Sequence, residues 1–303
     1  MYISLIRAER RSLNLISLFR LMRVSNWIKN IVIFFPVLFD GQLTNVFSCF
    51  KCLMGFVVFC LLSSTVYVIN DIADQESDKL HPTKCKRPIA SGEVSIVTAY
   101  ILIFFLLINS FVLAYLYLTI NAWIMLLLYL LFNILYSFKL KKIGLVDVSM
   151  IALFFELRLF LGGQVANIQI SHWLSLLTFF LAIFIAFSKR HDDVLLSNEI
   201  HKEIRDSLKS YNLDFLNAII LLLASVLLIT YLLYTISDTG GMKYNHNFYI
   251  TSFFVFLGIC RYLQLILVFK KGGNPVKIFY SDKTLLFYCF SWMCLLVFFI
   301  YFK

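Results

Sequence analysis

The run Asn70-Asp71-Ile72-Ala73-Asp74-Gln75-Glu76-Ser77-Asp78 carries carboxylates at i, i+3 and i+7, a spacing that puts Asp71, Asp74 and Asp78 on one face of a helix. Three crowded acids repel, and at the C-terminus of an apolar helix the backbone dipole opposes them as well. A bound cation is the simplest relief. Hard oxygen ligands with coordination positions to spare suit magnesium carrying a phosphorylated substrate; a solvated acidic helix end is the alternative. Directly after comes His81-Pro82-Thr83-Lys84-Cys85-Lys86-Arg87-Pro88-Ile89-Ala90-Ser91-Gly92, whose Lys84 and Arg87 can meet the acids or a ligand's phosphates by charge-assisted hydrogen bonds. A basic loop serving only membrane topology would need no acidic neighbour. His81 by itself reads as a helix start or turn.

The elements that must position these groups follow from composition. Of 303 residues, 61% are hydrophobic, 17% aromatic and only 15% charged, with 32 Phe, too few polar residues to cover a water-soluble surface. Mean hydropathy is +0.85. The apolar runs are about twenty residues long and do not alternate, so the fold class is all-α and polytopic. Runs fall near 31–50, 52–69, 94–116, 118–136, 146–166, 173–187, 213–236, 248–269 and 285–302, predicting about nine transmembrane helices.

Basic residues separate between alternate loops. One side holds Arg7, Arg10, Arg11, Arg20, Arg23 and Lys29, then Lys79, Lys84, Lys86 and Arg87, then Lys139, Lys141 and Lys142, then Lys189, Arg190, Lys202, Arg205 and Lys209, and last Lys270, Lys271, Lys277 and Lys283. The other side has Lys51, Lys243 and Lys303. This asymmetry places the N-terminus and the acidic motif in the cytoplasm of a multi-pass inner-membrane protein. The net charge of +10 is then explained by topology and anionic lipid, with no nucleic acid involved. Residues 1–30 interleave Leu13, Ile16, Leu18, Leu21 and Met22 with cations and read as an amphipathic segment on the leaflet, preceding one catalytic domain over 31–303. A homo-oligomer is compatible with all of this.

Charges inside predicted spans are functional by default. These are Arg158, with Glu156 beside it, and Arg261. Asp147 lies eleven residues before Arg158, about three turns, so an Asp147–Arg158 pair is expected, either lining a cavity or locking helices. Gly162, Gly163 and Gly258 are expected to allow close helix approach. The seven cysteines sit mostly in apolar runs, and Cys49 and Cys52 read as packing residues.

The Asn70–Asp78 pattern resembles the first aspartate-rich motif of the UbiA-type intramembrane prenyltransferases. His81–Gly92 is similar to that family's next segment, and Tyr136-Ser137-Phe138-Lys139-Leu140-Lys141 to its YSxxLK loop. Other segments resemble the polyprenyl-phosphate phosphoribosyltransferase branch: Arg23-Val24-Ser25-Asn26-Trp27-Ile28-Lys29-Asn30 followed by Pro36, and later Arg261-Tyr262, Pro275 and Asp282. Where the aromatic prenyltransferases carry a second acidic motif, this chain reads Lys189-Arg190-His191-Asp192-Asp193, similar to the branch's KRxxE with Asp193 in place of the glutamate.

The resemblance implies a UbiA-like bundle with a central cavity facing the cytoplasm, and transfer of 5-phosphoribose from phosphoribosyl diphosphate to a polyprenyl phosphate. Asn70, Asp71, Asp74 and Asp78 would be catalytic, the three aspartates holding Mg2+ against the leaving diphosphate. Lys29, Lys84, Arg87, Tyr136, Lys139, Arg158, Lys189, Arg190, Asp193 and Arg261 would bind substrates. The competing enzyme is an aromatic prenyltransferase, which should show a second acid cluster; Asp192, Asp193 and Glu199 offer a degenerate one. A transporter should show Gly/Pro-broken helices at the midplane, against only four Pro here.

Overall fold

The computed structural model describes residues 15–80, 83–200, 206–270, 278 and 280–302, without the side chains of 199, 200 and 206. Arg7, Arg10, Arg11, Leu13, His81, Pro82, Lys202, Arg205, Lys271, Pro275, Lys277 and Lys303, and the side chain of Glu199, therefore lie outside the described residues. Among the described residues every regular element is helical. In chain order these are α1 (Leu15–Leu21), a 3-10 segment (Val24–Phe34) running into α2 (Phe35–Phe39), α3 (Val46–Ala73), α4 (Gln75–Lys79), α5 (Ile96–Tyr117), α6 (Ile120–Phe138), α7 (Gly144–Ala166), α8 (His172–Ile200), α9 (Leu213–Ile236), α10 (Thr251–Leu263) and α11 (Lys283–Tyr301).

Local chemistry sets the starts of these helices. Asn45 accepts hydrogen bonds from Phe47 N and Ser48 N to cap α3. Ser95, Thr119, Asn212 and Asp282 do the same for α5, α6, α9 and α11. Each satisfies a donor the first turn would otherwise leave unpaired. Asn167, at φ +57°, ends α7 in a left-handed cap.

Seven helices are long and apolar enough to cross a membrane, and eight if the pair Leu15–Leu21 and Val24–Phe39, bent by 48°, counts as one. The nine runs expected from sequence thus correspond to seven or eight by length and composition. Between the first two runs the chain turns through Asp40 and Gly41, whose φ of +76° suits glycine, while Lys51 lies inside α3. Gly144–Ala166, read as a span, is a 23-residue helix outside that count; it carries Asp147, Glu156 and Arg158 and is largely buried.

Aromatic and aliphatic side chains on the outer surface, such as Phe104, Phe105, Leu222, Phe253 and Phe290, are more than half exposed. Such a belt belongs in lipid. α3 and α7 instead form the interior, where Phe59, Leu62, Tyr129, Phe154 and Leu161 share one core. Gly162 is what lets α7 approach the 3-10 segment, since a Cβ there would collide with the Ile33 carbonyl. Gly163 is crowded by its own following loop at Ile168 and Ile170, whereas a Cβ on Gly258 would meet nothing nearer than Tyr288 at 4.0 Å. The close approach expected at Gly258 is absent. Cys52 is buried against the Ile33 and Gly162 carbonyls, as a packing residue.

Candidate functional site

The charged ends of α3, α6, α7 and α8 meet at one end of the bundle. Asp71, on the last turn of α3 and 2% exposed, accepts from Arg23 and from Arg87 Nη1 at 3.2 Å. The same Arg87 nitrogen donates to Asp78 Oδ2 at 2.6 Å, and Asp78 is equally buried. Arg23 has a left-handed φ of +51°, at the bend between α1 and the 3-10 segment. Its guanidinium lies 4.9 Å from the Tyr67 ring centre, one turn of α3 before Asp71. The contacts at both ends hold a backbone conformation that a non-glycine residue seldom adopts.

The three aspartates do not share one helical face. α3 ends at Ala73, Asp74 caps it, and Asp78 belongs to the separate short helix α4. Asp71 and Asp78 converge, while Asp74 turns to Lys141 Nζ at 2.7 Å. Among the described residues no three acids, histidines or cysteines form a ready metal cage. Two converging carboxylates still fit a magnesium ion, which commonly takes one or two and completes its shell with phosphate and water. Arg87 Nη1 marks the point between them where a cation is welcome. Asn70 is fixed by Ser137 of α6, which donates to its Oδ1.

A second network lies one helix over. Arg190, almost fully buried, donates from Nε to Asp147 Oδ2 at 2.6 Å and from Nη1 to Asp193 Oδ2 at 2.6 Å. Tyr136 OH donates to the other Asp147 oxygen at 2.6 Å. The expected Asp147–Arg158 pair is therefore replaced by Asp147–Arg190, since the salt bridge runs between neighbouring helices α7 and α8 and not along α7.

Arg158 is found instead deep in the bundle. It is 4% exposed, donates to Asn30 Oδ1 at 2.8 Å and to Phe154 O at 2.6 Å, and lies beside the rings of Phe59, Tyr129 and Phe155. Glu156 points elsewhere, accepting from Ser175 at 2.7 Å.

The remaining sequence candidates divide. Lys29 is half-buried in the 3-10 segment, within electrostatic reach of Arg158 and Arg23. Lys84 is half-buried in the turn before Arg87. Lys139 is exposed, and its neighbour Lys141 reaches the acids in its place, because the chain passes through a 3-10 turn at Leu140–Lys142. Lys189 is exposed while Arg190 faces inward. Arg261 is held by Asp282 at 2.7 Å and Gln264 at 2.5 Å, tying α10 to the start of α11. Missing from the sequence-based site were Arg23, Asn30, Ser137 and Lys141, whereas Asp147 was expected with a different partner. Arg23 and Asn30 stand in the RxxxWxKN run and Ser137 and Lys141 in the YSFKLK run, so the motifs held the signal and only their contacts were lacking.

Comparison with known proteins agrees with this geometry. Residues 37–194 match the UbiA prenyltransferase family. The chain is 29% identical over 284 residues, 92% of its length and 85% of the relative's, to the decaprenyl-phosphate phosphoribosyltransferase of Corynebacterium glutamicum. It is 32% identical over 231 residues, 74% of this chain and 72% of the relative, to the enzyme of that name from Mycolicibacterium smegmatis. In fold it is similar to a UbiA homolog from Archaeoglobus fulgidus whose structure has GPP and Mg2+ bound, with a TM-score of 0.68, 15% identity, and coverage of 94% of this chain and 98% of that one. With an all-helical apolar bundle, an acidic motif gathered at one end and this match over residues 37–194, the chain is an integral membrane enzyme that belongs to the UbiA prenyltransferase family.

Proposed function

We propose that the protein is a polyprenyl-phosphate phosphoribosyltransferase, taking 5-phosphoribose from phosphoribosyl diphosphate and joining it to a polyprenyl phosphate with release of diphosphate. The observation that carries this reading is the buried Arg190 between Asp147 and Asp193. An enzyme condensing a prenyl diphosphate with an aromatic ring needs acids at this position for a second metal. Here Asp193 is already neutralised by an internal cation, Arg190. Names of the relatives similar over most of the chain support the same choice.

Asp71 and Asp78 are the residues that would hold Mg2+, with Asp74 one turn away and tied to Lys141. When bound, the ion neutralises charge on the diphosphate as it leaves the sugar. Arg23 and Arg87 sit against the same carboxylates and can turn their remaining donors to the diphosphate oxygens. Asn70, next to Asp71 in the chain, is fixed by Ser137. The acceptor phosphate is already anionic at neutral pH, so the site has to orient it and needs no general base. Catalysis is then chiefly positioning and electrostatics.

The test is direct. Purified protein with magnesium, labelled phosphoribosyl diphosphate and a short polyprenyl phosphate should yield lipid-extractable label. Joining of a prenyl diphosphate to 4-hydroxybenzoate, with phosphoribosyl diphosphate ignored, would favour the aromatic reading.

We also infer that the acidic end faces the cytoplasm of the inner membrane, from the basic loops clustered at that end and the Asp40–Lys243 pair at the other. Single cysteines at Lys84 and Lys243 should be labelled from opposite sides, the first only after permeabilisation. Labelling of both from outside would overturn this orientation.

A further inference from the structure

The end of the bundle away from the acidic motif holds a cavity of about 70 Å3. Three chain segments wall it: the end of α2 at Phe39 and Asp40, the α7–α8 connection at Gln169, and the α9–α10 connection at Lys243 and Tyr244. Hydrogen bonds hold this frame. Tyr244 donates to Phe39 O, and Tyr301 of α11 donates to Leu38 O at 2.9 Å. Gly240 lets the α9–α10 connection close over the end of α9, since a Cβ there would strike the Tyr234 carbonyl. The space is large enough for several waters at about 10–15 Å3 each, or for the polar end of a small ligand.

The groups around it point to a ligand. Tyr234 lines the cavity and is 5% exposed, yet its hydroxyl has no hydrogen-bond partner among the described residues. Buried hydroxyls are normally paired, because one left alone forfeits its bond to water. Asp40 Oδ1 and Lys243 Nζ stand 3.6 Å apart, close enough to attract and too far for a hydrogen bond. The other Asp40 oxygen is taken by Gln42 Nε2 at 2.7 Å. Lys243 lies 5.3 Å from the Tyr244 ring centre and donates no hydrogen bond among the described residues. A carboxylate oxygen, an ammonium and a phenol oxygen are thus left side by side.

Opposite charges that do not hydrogen-bond each other match a zwitterion, whose own cation and anion can satisfy both. Position selects a lipid, because a cavity at the helix ends of a membrane bundle lies at headgroup level. Its wall residues Leu177 and Tyr234 also adjoin the lipid-exposed Leu176 and Ile236, along which acyl chains can run. Among common headgroups ethanolamine fits. Its primary ammonium donates to both the Asp40 carboxylate and the Tyr234 hydroxyl; choline has no N–H to donate, and a glycerol headgroup offers Asp40 no cation.

We propose that this cavity binds the headgroup of an ethanolamine phospholipid, with the ammonium at Asp40 and Tyr234 and the phosphate at Lys243. On the orientation inferred above, the lipid belongs to the outer leaflet. It would join three connections at the end of the bundle opposite the acidic motif.

The affinities of the purified protein in detergent for dihexanoyl phosphatidylethanolamine, phosphatidylcholine and phosphatidylglycerol test this. Wild type should bind the ethanolamine lipid about tenfold more tightly than either of the others. Asp40→Asn should abolish that preference, and Lys243→Gln should weaken all three lipids alike, since each carries a phosphate. Tyr234→Phe should weaken the ethanolamine lipid several-fold while the lipid-free protein unfolds at the wild-type temperature or above; a purely structural Tyr234 would leave lipid binding unchanged. Equal affinity of wild type for the three lipids, which needs no variant to measure, would overturn the proposal. So would an ethanolamine preference that survives Asp40→Asn. Glycerophosphoethanolamine, the same headgroup without acyl chains, should bind more weakly by about tenfold or more; equal binding would make this a site for a soluble zwitterion and overturn the lipid assignment. None of these readouts depends on which reaction the protein catalyses.

Discussion

Replacing Asp71 or Asp78 by Asn is expected to lower turnover about 10²-fold or more, comparable to the loss of one preorganised electrostatic group. Both carboxylates are buried and both accept from Arg87, so the change removes negative charge at the point where a cation and a diphosphate would meet. Asn is close in shape and still accepts a hydrogen bond from Arg87, which should keep α3, α4 and the following loop together. The loss therefore falls on kcat and on magnesium affinity and not on the amount of folded protein. Steady-state rates across a magnesium titration, alongside a thermal unfolding curve in detergent, separate the two. Full wild-type activity in EDTA would remove the metal from the site altogether.

The second large effect concerns stability. Arg190→Met should destabilise the protein by about 3–5 kcal/mol, because it leaves Asp147 buried without its counter-charge. Asp147 is fully buried, and the change removes its ion pair with Arg190 while the hydrogen bond from Tyr136 stays. Pairing the change with Asp147→Leu should recover much of the loss, since an apolar pair of similar volume can replace a buried ion pair at little cost. Thermal unfolding of the single and double variants measures this directly. A single variant as stable as the wild type, with only a raised donor KM, would return Arg190 to the substrate-binding role its sequence position suggested.

The buried ion pair of Arg190 shows where sequence is informative and where it is not. Membrane residence, helical class, the acidic motif and the basic bias of alternate loops are all local or compositional properties. They depend on which residues occur and at what spacing, so they are legible without any contact. The RxxxWxKN and YSFKLK runs likewise identified the segments that end up beside the aspartates. What each side chain does within those segments was not legible. Lys139 and Lys141 are two residues apart, yet a short 3-10 turn exposes the first and aims the second at Asp74. Lys189 and Arg190 are adjacent, and a step of about 100° around the helix separates solvent from the core.

The same holds for pairing. Periodicity along α7 suggested Asp147 with Arg158, because a single helix offers only its own turns as neighbours. In the bundle a neighbouring helix comes closer than the third turn of the same one, and Arg190 on α8 takes the carboxylate. Likewise, i, i+3, i+7 spacing put three aspartates on one face on the assumption of an unbroken helix, whereas the chain turns at Asp74 and brings Asp71 and Asp78 together from two helices. The sequence by itself determined the solvent, the element type and the charges available at one end of the molecule. Only the tertiary structure decided which charges are neutralised internally and which remain for a ligand, because a salt bridge acts over a few ångströms between residues that lie tens of positions apart in the chain.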